Sequence, residues 1–190
     1  MTTTTSSVTS TSPTTVTGAI DRRLRRGSAI MAIAGLGFVA YAALFIARSF
    51  SSQLLELGIG HNEVDVTGSQ IKSFSPSLHH YLFHLQLGTG GFIAATGVAV
   101  AALSWFGVRR GELWAFGTAM VVPVVALAVA LPAHYPYHLD TLGHLGLIYA
   151  DTILFLVGAS LAGRSLLGDR YKSGEGINGR AARRSTDLAS

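Results

Sequence analysis

Four stretches of apolar residues, separated by polar segments, dominate the hydrophobic pattern of this chain. They cover about residues 29–47, 80–106, 113–131 and 144–163. Each is near or above the roughly 20 residues that an α-helix needs to cross a bilayer core of about 30 Å. The pattern therefore predicts an all-α polytopic membrane protein, folded as a compact four-helix transmembrane bundle.

The segments outside these stretches predict a three-part organisation. Residues 1–27 begin with a Thr- and Ser-rich run, which buries too little apolar surface to offset its ordering entropy, and they form a disordered N-terminal tail. Residues 28–163 form the transmembrane domain, and residues 164–190 form a basic C-terminal tail. Within the domain, Ser75 and Pro76 are typical of an N-cap and a first helical position, so the second helix is expected to begin there.

Positive charge is distributed unevenly about the four spans. Arg48 and Lys72 lie on one side, together with all seven histidines. Because Lys and Arg are retained on the cytoplasmic side, the asymmetry predicts a multi-pass protein of the plasma membrane with both termini in the cytoplasm. The other side carries twelve of the fourteen basic residues: Arg22, Arg23, Arg25, Arg26, Arg109, Arg110, Arg164, Arg170, Lys172, Arg180, Arg183 and Arg184.

Composition excludes several classes of protein. With 49% hydrophobic and 13% charged residues, the chain is too apolar for an ordinary soluble domain. It contains no cysteine, which excludes disulfides, thiolate catalysis and cysteine-ligated metal. The basic residues flank spans instead of forming a recognition surface, so the predicted partner is the lipid bilayer and not nucleic acid. A twin-arginine export signal at Arg22-Arg23 is an alternative, but no clear cleavage site follows the first span.

The candidate chemistry lies at the histidine-bearing side of the second and fourth spans. His80 and His84 are four residues apart and share one helical face, as do His144 and Asp151, which are seven apart. These four residues are the predicted ligand-binding set. His80, His84 and His144 are candidate ligands for a transition metal, and His84 with His144 forms a candidate axial pair for haem. The alternative is an ordinary interfacial rim of histidine and tyrosine.

Asp151 is the sharpest single feature. A carboxylate about two turns inside a spanning helix costs roughly 2.5–3.5 kcal/mol on insertion scales unless it finds a partner. We therefore expect it to face the bundle interior, near Thr89, His84 or His144. A hydrogen-bonded residue that fixes helix packing is the equally weighted alternative to a functional group.

Glycines are frequent in the spans and are expected to allow close helix packing. The Gly88-Thr89-Gly90-Gly91 run is not a phosphate loop, because it lies inside a span and no lysine follows it. Gly35, Gly37 and Gly158 lie in other spans.

The layout of four spans, the histidine-rich side and the GVRRGELWAF turn at residues 107–116 resemble small bacterial membrane proteins of the DoxX-like type. The resemblance covers about residues 29–163. It implies a compact four-helix bundle and little about activity, and it transfers no family active site onto residues of this chain.

Three functions are compatible with these features. The first is an accessory protein that binds a metal, haem or a small ligand in a His/Asp-lined pocket at the outer face. The second is a structural subunit, within a homo-oligomer or a larger membrane complex. The third is a membrane-embedded enzyme that acts on a lipidic substrate, with Asp151 and His84 as acid and base.

Overall fold

The computed structural model describes the backbone of residues 14–51, 59 and 64–187, and the side chains of residues 22–51, 59 and 64–168. The described residues form helices and turns without a strand. The α-helices are α1 (Thr14–Ser49), α2 (Gly68–Phe74), α3 (Pro76–Ala102), α4 (Leu113–Ala130) and α5 (Leu142–Asp187).

Local sequence explains where α2 and α3 begin. Ser75 is the N-cap of α3, and its hydroxyl accepts a hydrogen bond of 3.2 Å from the backbone N–H of Leu78. Pro76 follows at the first helical position, where its missing N–H costs nothing, so the predicted start is confirmed. The short helix α2 was not predicted. It begins with a capping box, in which the side chains of Thr67 and Gln70 each accept a hydrogen bond from the other residue's backbone N–H.

Four helical segments are long and apolar enough to cross a membrane, and each contains one of the predicted spans. Their bounds are Arg22–Ser49, Pro76–Arg110, Leu113–Tyr137 and Leu142–Gly168. The fold class is confirmed: the chain is an all-α, multi-pass membrane protein. The α3 span extends past Ala102 through a π-helical segment, Leu103–Gly107, and a 3-10 turn, Val108–Arg110. A one-turn π insertion of this kind has no reliable sequence signature, so it was not predicted.

The central helix of the bundle is α1. It packs along both α3 and α5, which have no extensive contact with each other in the described part of the chain. Helix α4 packs mainly on the π-helical segment, and more lightly on α3 and α5. The buried core includes Met31 of α1, Val100 of α3, Ala115 of α4 and Phe155 of α5.

Glycines allow α1 to approach its two neighbours closely, as expected. A Cβ at Gly27 would lie 2.5 Å from the backbone nitrogen of Ala162 in α5. A Cβ at Gly35 would lie 2.6 Å from the backbone nitrogen of Ala101 in the α3 segment. Both distances are too short for a side chain, so the helix backbones are nearly in contact at these points.

The antiparallel helices sort the polar residues to opposite ends. We call the end with His79, His80, His84, His134, His138 and His144 the histidine end, and the end with Arg25, Arg109, Arg110 and Arg164 the arginine end. His61 lies outside the described residues. The two ends match the sidedness read from the sequence, whereas the assignment of the arginine end to the cytoplasm stays a prediction.

Both terminal helices extend into segments that were assigned to tails. Helix α1 begins at Thr14, within the tail predicted to be disordered over residues 1–27. Helix α5 continues to Asp187, through most of the predicted basic tail. The sequence offers a reason, since Pro13 directly precedes the start of α1 and no proline follows Pro136 to interrupt α5. Residues 1–13 lie outside the described range.

Candidate functional site

The four predicted ligand-binding residues do not form one site in the structure. His80 and His84 are exposed on α3, whereas His144 is 1% exposed at the start of α5. The shared site required the second and fourth spans to be neighbours, but α1 is the main neighbour of both. In the part of the chain that the structure describes, no three His, Asp or Glu side chains lie close enough together to hold a metal ion.

His144 instead packs against His134, which lies between two 3-10 turns after α4. The centroids of the two imidazoles are 5.0 Å apart, and the ring planes are inclined by 33°. His134 is held by a contact of 2.8 Å between its Nδ1 and the carbonyl oxygen of Ala130. Thr141 supports His144, since its hydroxyl accepts a hydrogen bond of 3.3 Å from the His144 backbone N–H. The pair joins the connection after α4 to the first turn of α5.

A cavity of about 510 Å³ opens beside this pair at the histidine end. Its walls come from α1, α3 and the segments around them, and they are mostly aliphatic. Gln86, Thr89 and His134 supply polar groups. His80 and His84 do not line it, because they occupy a different face of α3.

The structure places Asp151 away from the partners that were expected for it. A Cβ built at Gly37 of α1 would collide with Oδ1 of Asp151, so the carboxylate lies directly over that glycine. Its Oδ2 is buried and makes no hydrogen bond within the described residues. Neither Thr89 nor His84 is adjacent, because the Asp151 face of α5 packs on α1 and not on α3. The carboxylate thus faces a neighbouring helix of the bundle, but that helix is α1 and not the α3 that carries Thr89 and His84.

Asp151 lies in a groove of about 360 Å³ between α1 and α5, which we call the Asp151 groove. The walls otherwise consist of aliphatic and aromatic side chains, including Phe38 and Tyr41 of α1. Leu44 and Leu147 line the groove and are each 52% exposed. The groove therefore opens on the lateral surface of the bundle, which faces the acyl chains when the helices span a membrane.

Comparisons with known proteins add no assignment. No family model, curated protein or solved structure matches the chain. Among the described residues, the Asp151 groove combines a partly buried carboxylate with an opening on the lateral surface of the bundle.

Two features of these sites were missed at the sequence level. His134 was not among the predicted ligand-binding residues, because its pairing with His144 depends on how the 3-10 turns fold back. Gly37 was treated as a packing residue only. A signal for the groove does exist, since residues 37, 41 and 44 share one face of α1, and residues 147, 151 and 154 share one face of α5.

Proposed function

We propose that this protein binds a lipophilic organic cation in the Asp151 groove. The observation that carries the proposal is the Asp151 carboxylate, which lies over Gly37 in an apolar groove within a spanning segment. Ionisable groups inside spans are rare, and by default they indicate a functional site. The protein thus has the role of a small multi-pass binding protein whose ligand reaches the groove from the bilayer.

The chemistry of the groove favours a cation over a neutral lipid. A carboxylate removed from water is stabilised most by an opposite charge, because Coulomb attraction strengthens as the dielectric constant falls. Phe38 and Tyr41 add aromatic rings, whose faces attract organic cations. The volume of about 360 Å³ lies within the usual range for a small-ligand site.

The arrangement supports binding more than catalysis. An acid–base mechanism would need a second titratable group within hydrogen-bond reach of the carboxylate. His84, the partner considered for the enzyme hypothesis, is exposed on α3 and does not line the groove. Among the described residues that line the groove, Asp151 is the one carboxylate and no imidazole is present.

The metal and haem hypotheses receive less support from the geometry. They depended on His144 of α5 joining His80 and His84 of α3, and these two helices have no extensive contact in the described part of the chain. The DoxX-like resemblance stays a prediction, and the remaining hypothesis of a structural subunit becomes an outcome of the test below.

The test is a binding measurement on detergent-purified protein with tetraphenylphosphonium as the probe. We expect Asp151→Asn to weaken binding by about tenfold or more, because an ion pair shielded from water is lost while the side chain keeps its size. Leu44→Trp should also weaken binding by narrowing the groove without touching the carboxylate. Asp140→Asn is the matched control, since it removes the same charge from an exposed position in the connection before α5.

Two results would contradict the proposal. One is equal binding of triphenylphosphine oxide, a neutral aromatic molecule, because apolar contact alone would then explain the affinity. The other is the absence of tetraphenylphosphonium binding by the wild type together with an Asp151-dependent association with another membrane protein. That result would favour the structural-subunit hypothesis.

A further inference from the structure

A second polar pocket lies at the arginine end, far along the bundle from the histidines. It has a volume of about 370 Å³ and is lined by Arg25, Trp105, Phe106, Arg109 and Arg110. Arg25 belongs to α1, whereas the other four residues belong to the π-helical segment and the 3-10 turn that follow α3. Three guanidinium groups from two separate elements thus converge on one pocket.

The fold holds this pocket in a defined shape. Val108 is fully buried, and a Cβ at Gly107 would collide with the Cβ of Ala115 in α4, so the turn is pressed against α4. Gly111 ends the turn with a φ of 85°, a left-handed conformation that glycine adopts at little cost. The guanidinium carbon of Arg109 lies 4.3 Å from the ring centroid of Trp105, which orients this side chain.

Among the described residues, no carboxylate balances the charge of the pocket. No acidic residue lines it, and within the described part of the chain no carboxylate forms an ion pair with Arg25, Arg109 or Arg110. Placing three cations together is unfavourable unless an anion joins them. The requirement for positive residues at this end explains how many arginines there are, but not why these three share a pocket.

We infer that this pocket binds the phosphate of an anionic phospholipid. Guanidinium groups match the oxygens of a phosphate with paired hydrogen bonds, and basic pockets between spanning helices are suited to anionic headgroups. The aromatic walls argue for a lipid over a free phosphate ion. Trp105 and Phe106 are 46% and 61% exposed at the end of a spanning helix, where aromatic rings lie at headgroup depth.

This site is separate from the Asp151 groove and does not depend on the proposed function. The Asp151 groove is lined by α1 and α5 and takes a cation, whereas the arginine pocket is lined by α1 and the end of the α3 span and takes an anion.

The test titrates delipidated, detergent-purified protein with dioleoyl phosphatidylglycerol or dioleoyl phosphatidylcholine and counts bound lipids by native mass spectrometry. We expect the wild type to bind phosphatidylglycerol at least about tenfold more tightly than phosphatidylcholine, because several arginines attract the one anionic headgroup. Replacing Arg25, Arg109 and Arg110 with Gln should abolish that preference. The matched control replaces Arg23, Arg26 and Arg164 with Gln, because these residues are exposed at the same end but do not line the pocket.

An equal loss of preference in both triple variants would overturn the inference, since diffuse charge would then suffice. Displacement of phosphatidylglycerol by millimolar inorganic phosphate would also overturn it, because the ligand would be the free ion. If the triple variant does not fold, Arg109→Lys replaces it. That substitution keeps the charge but removes the planar guanidinium group, so it should weaken the preference for phosphatidylglycerol several-fold. An unchanged preference would count against the site.

Discussion

Asp151 and His144 lie two turns apart on the same helix, yet their surroundings differ. His144 is packed against the ring of His134, with its backbone capped by Thr141. Asp151 meets a glycine backbone and an apolar groove. Close ring packing at His144 is expected to stabilise the fold, whereas a carboxylate in an apolar groove within a span is costly, and the proposed ligand would offset that cost.

His144 is expected to contribute to the stability of the bundle. His144→Ala should lower the free energy of unfolding by about 2–4 kcal/mol, because it leaves a void beside His134. His84→Ala should change it by no more than about 0.5 kcal/mol, since that side chain is exposed. Denaturant unfolding in detergent, followed by circular dichroism, measures both. Equal effects of the two substitutions would show that the histidine pair does not anchor α5.

At the scale of elements, the bundle is organised by the close contacts of α1. A Cβ at Gly97 of α3 would lie 2.6 Å from the carbonyl oxygen of Gly35 in α1. Not every glycine of the spans contributes, however. In the Gly88-Thr89-Gly90-Gly91 run, Gly90 faces Ile46 of α1, whereas Gly88 and Gly91 have open space around them. The expected close packing therefore occurs at Gly90 alone, because only one face of this run can meet α1.

The corresponding prediction compares two glycines of α3. Gly97→Ala should destabilise the protein by about 1–3 kcal/mol, because the added methyl group forces the α1 and α3 backbones apart. Gly91→Ala should be neutral or stabilising by up to about 1 kcal/mol, because alanine is the better helix former and its methyl group meets nothing. Thermal unfolding of both variants in the same detergent is the measurement. A larger loss in Gly91→Ala would contradict the α1–α3 contact.

At the scale of the whole molecule, the two ends have opposite chemical character. The described histidines and tyrosine-rich turns lie at one end, and the described arginines of α1, α5 and the α3–α4 turn lie at the other, apart from Arg48. This polarity gives the bundle a direction in the bilayer, since positive residues resist translocation. It also assigns the proposed lipid pocket to the leaflet at the arginine end.

The prediction for the whole molecule is its orientation. Reporter fusions after Ser190 and within residues 60–70 should label opposite sides of the membrane, with the C-terminus in the cytoplasm. Replacing Arg109 and Arg110 with Gln leaves ten of the twelve basic residues on that side, so the orientation should persist. A C-terminal reporter that is active outside the cell would contradict this topology.

The four spans, the start of α3 and the sorting of charge were all predictable from the sequence. All three depend on residues that are close in the chain. A run of apolar residues partitions into a bilayer whichever helix lies beside it, and the hydroxyl of Ser75 caps a helix that begins at the next residue. The sequence also identified Asp151 as unusual, because the cost of a carboxylate in a span does not depend on its neighbours.

Which residues share a site depends on how the helices pack, and this was not predictable from the sequence. His84 and His144 are both at the histidine end, but α1 is the main neighbour of α3 and α5, so the two histidines do not meet in a common site. Asp151 lies over Gly37, and Arg25 joins Arg109 and Arg110, because the helix rotation brings those faces together. Hydrophobic spans are apolar on nearly all sides, so their sequences give little indication of which face packs against which helix. Backbone approach at small residues settles that choice.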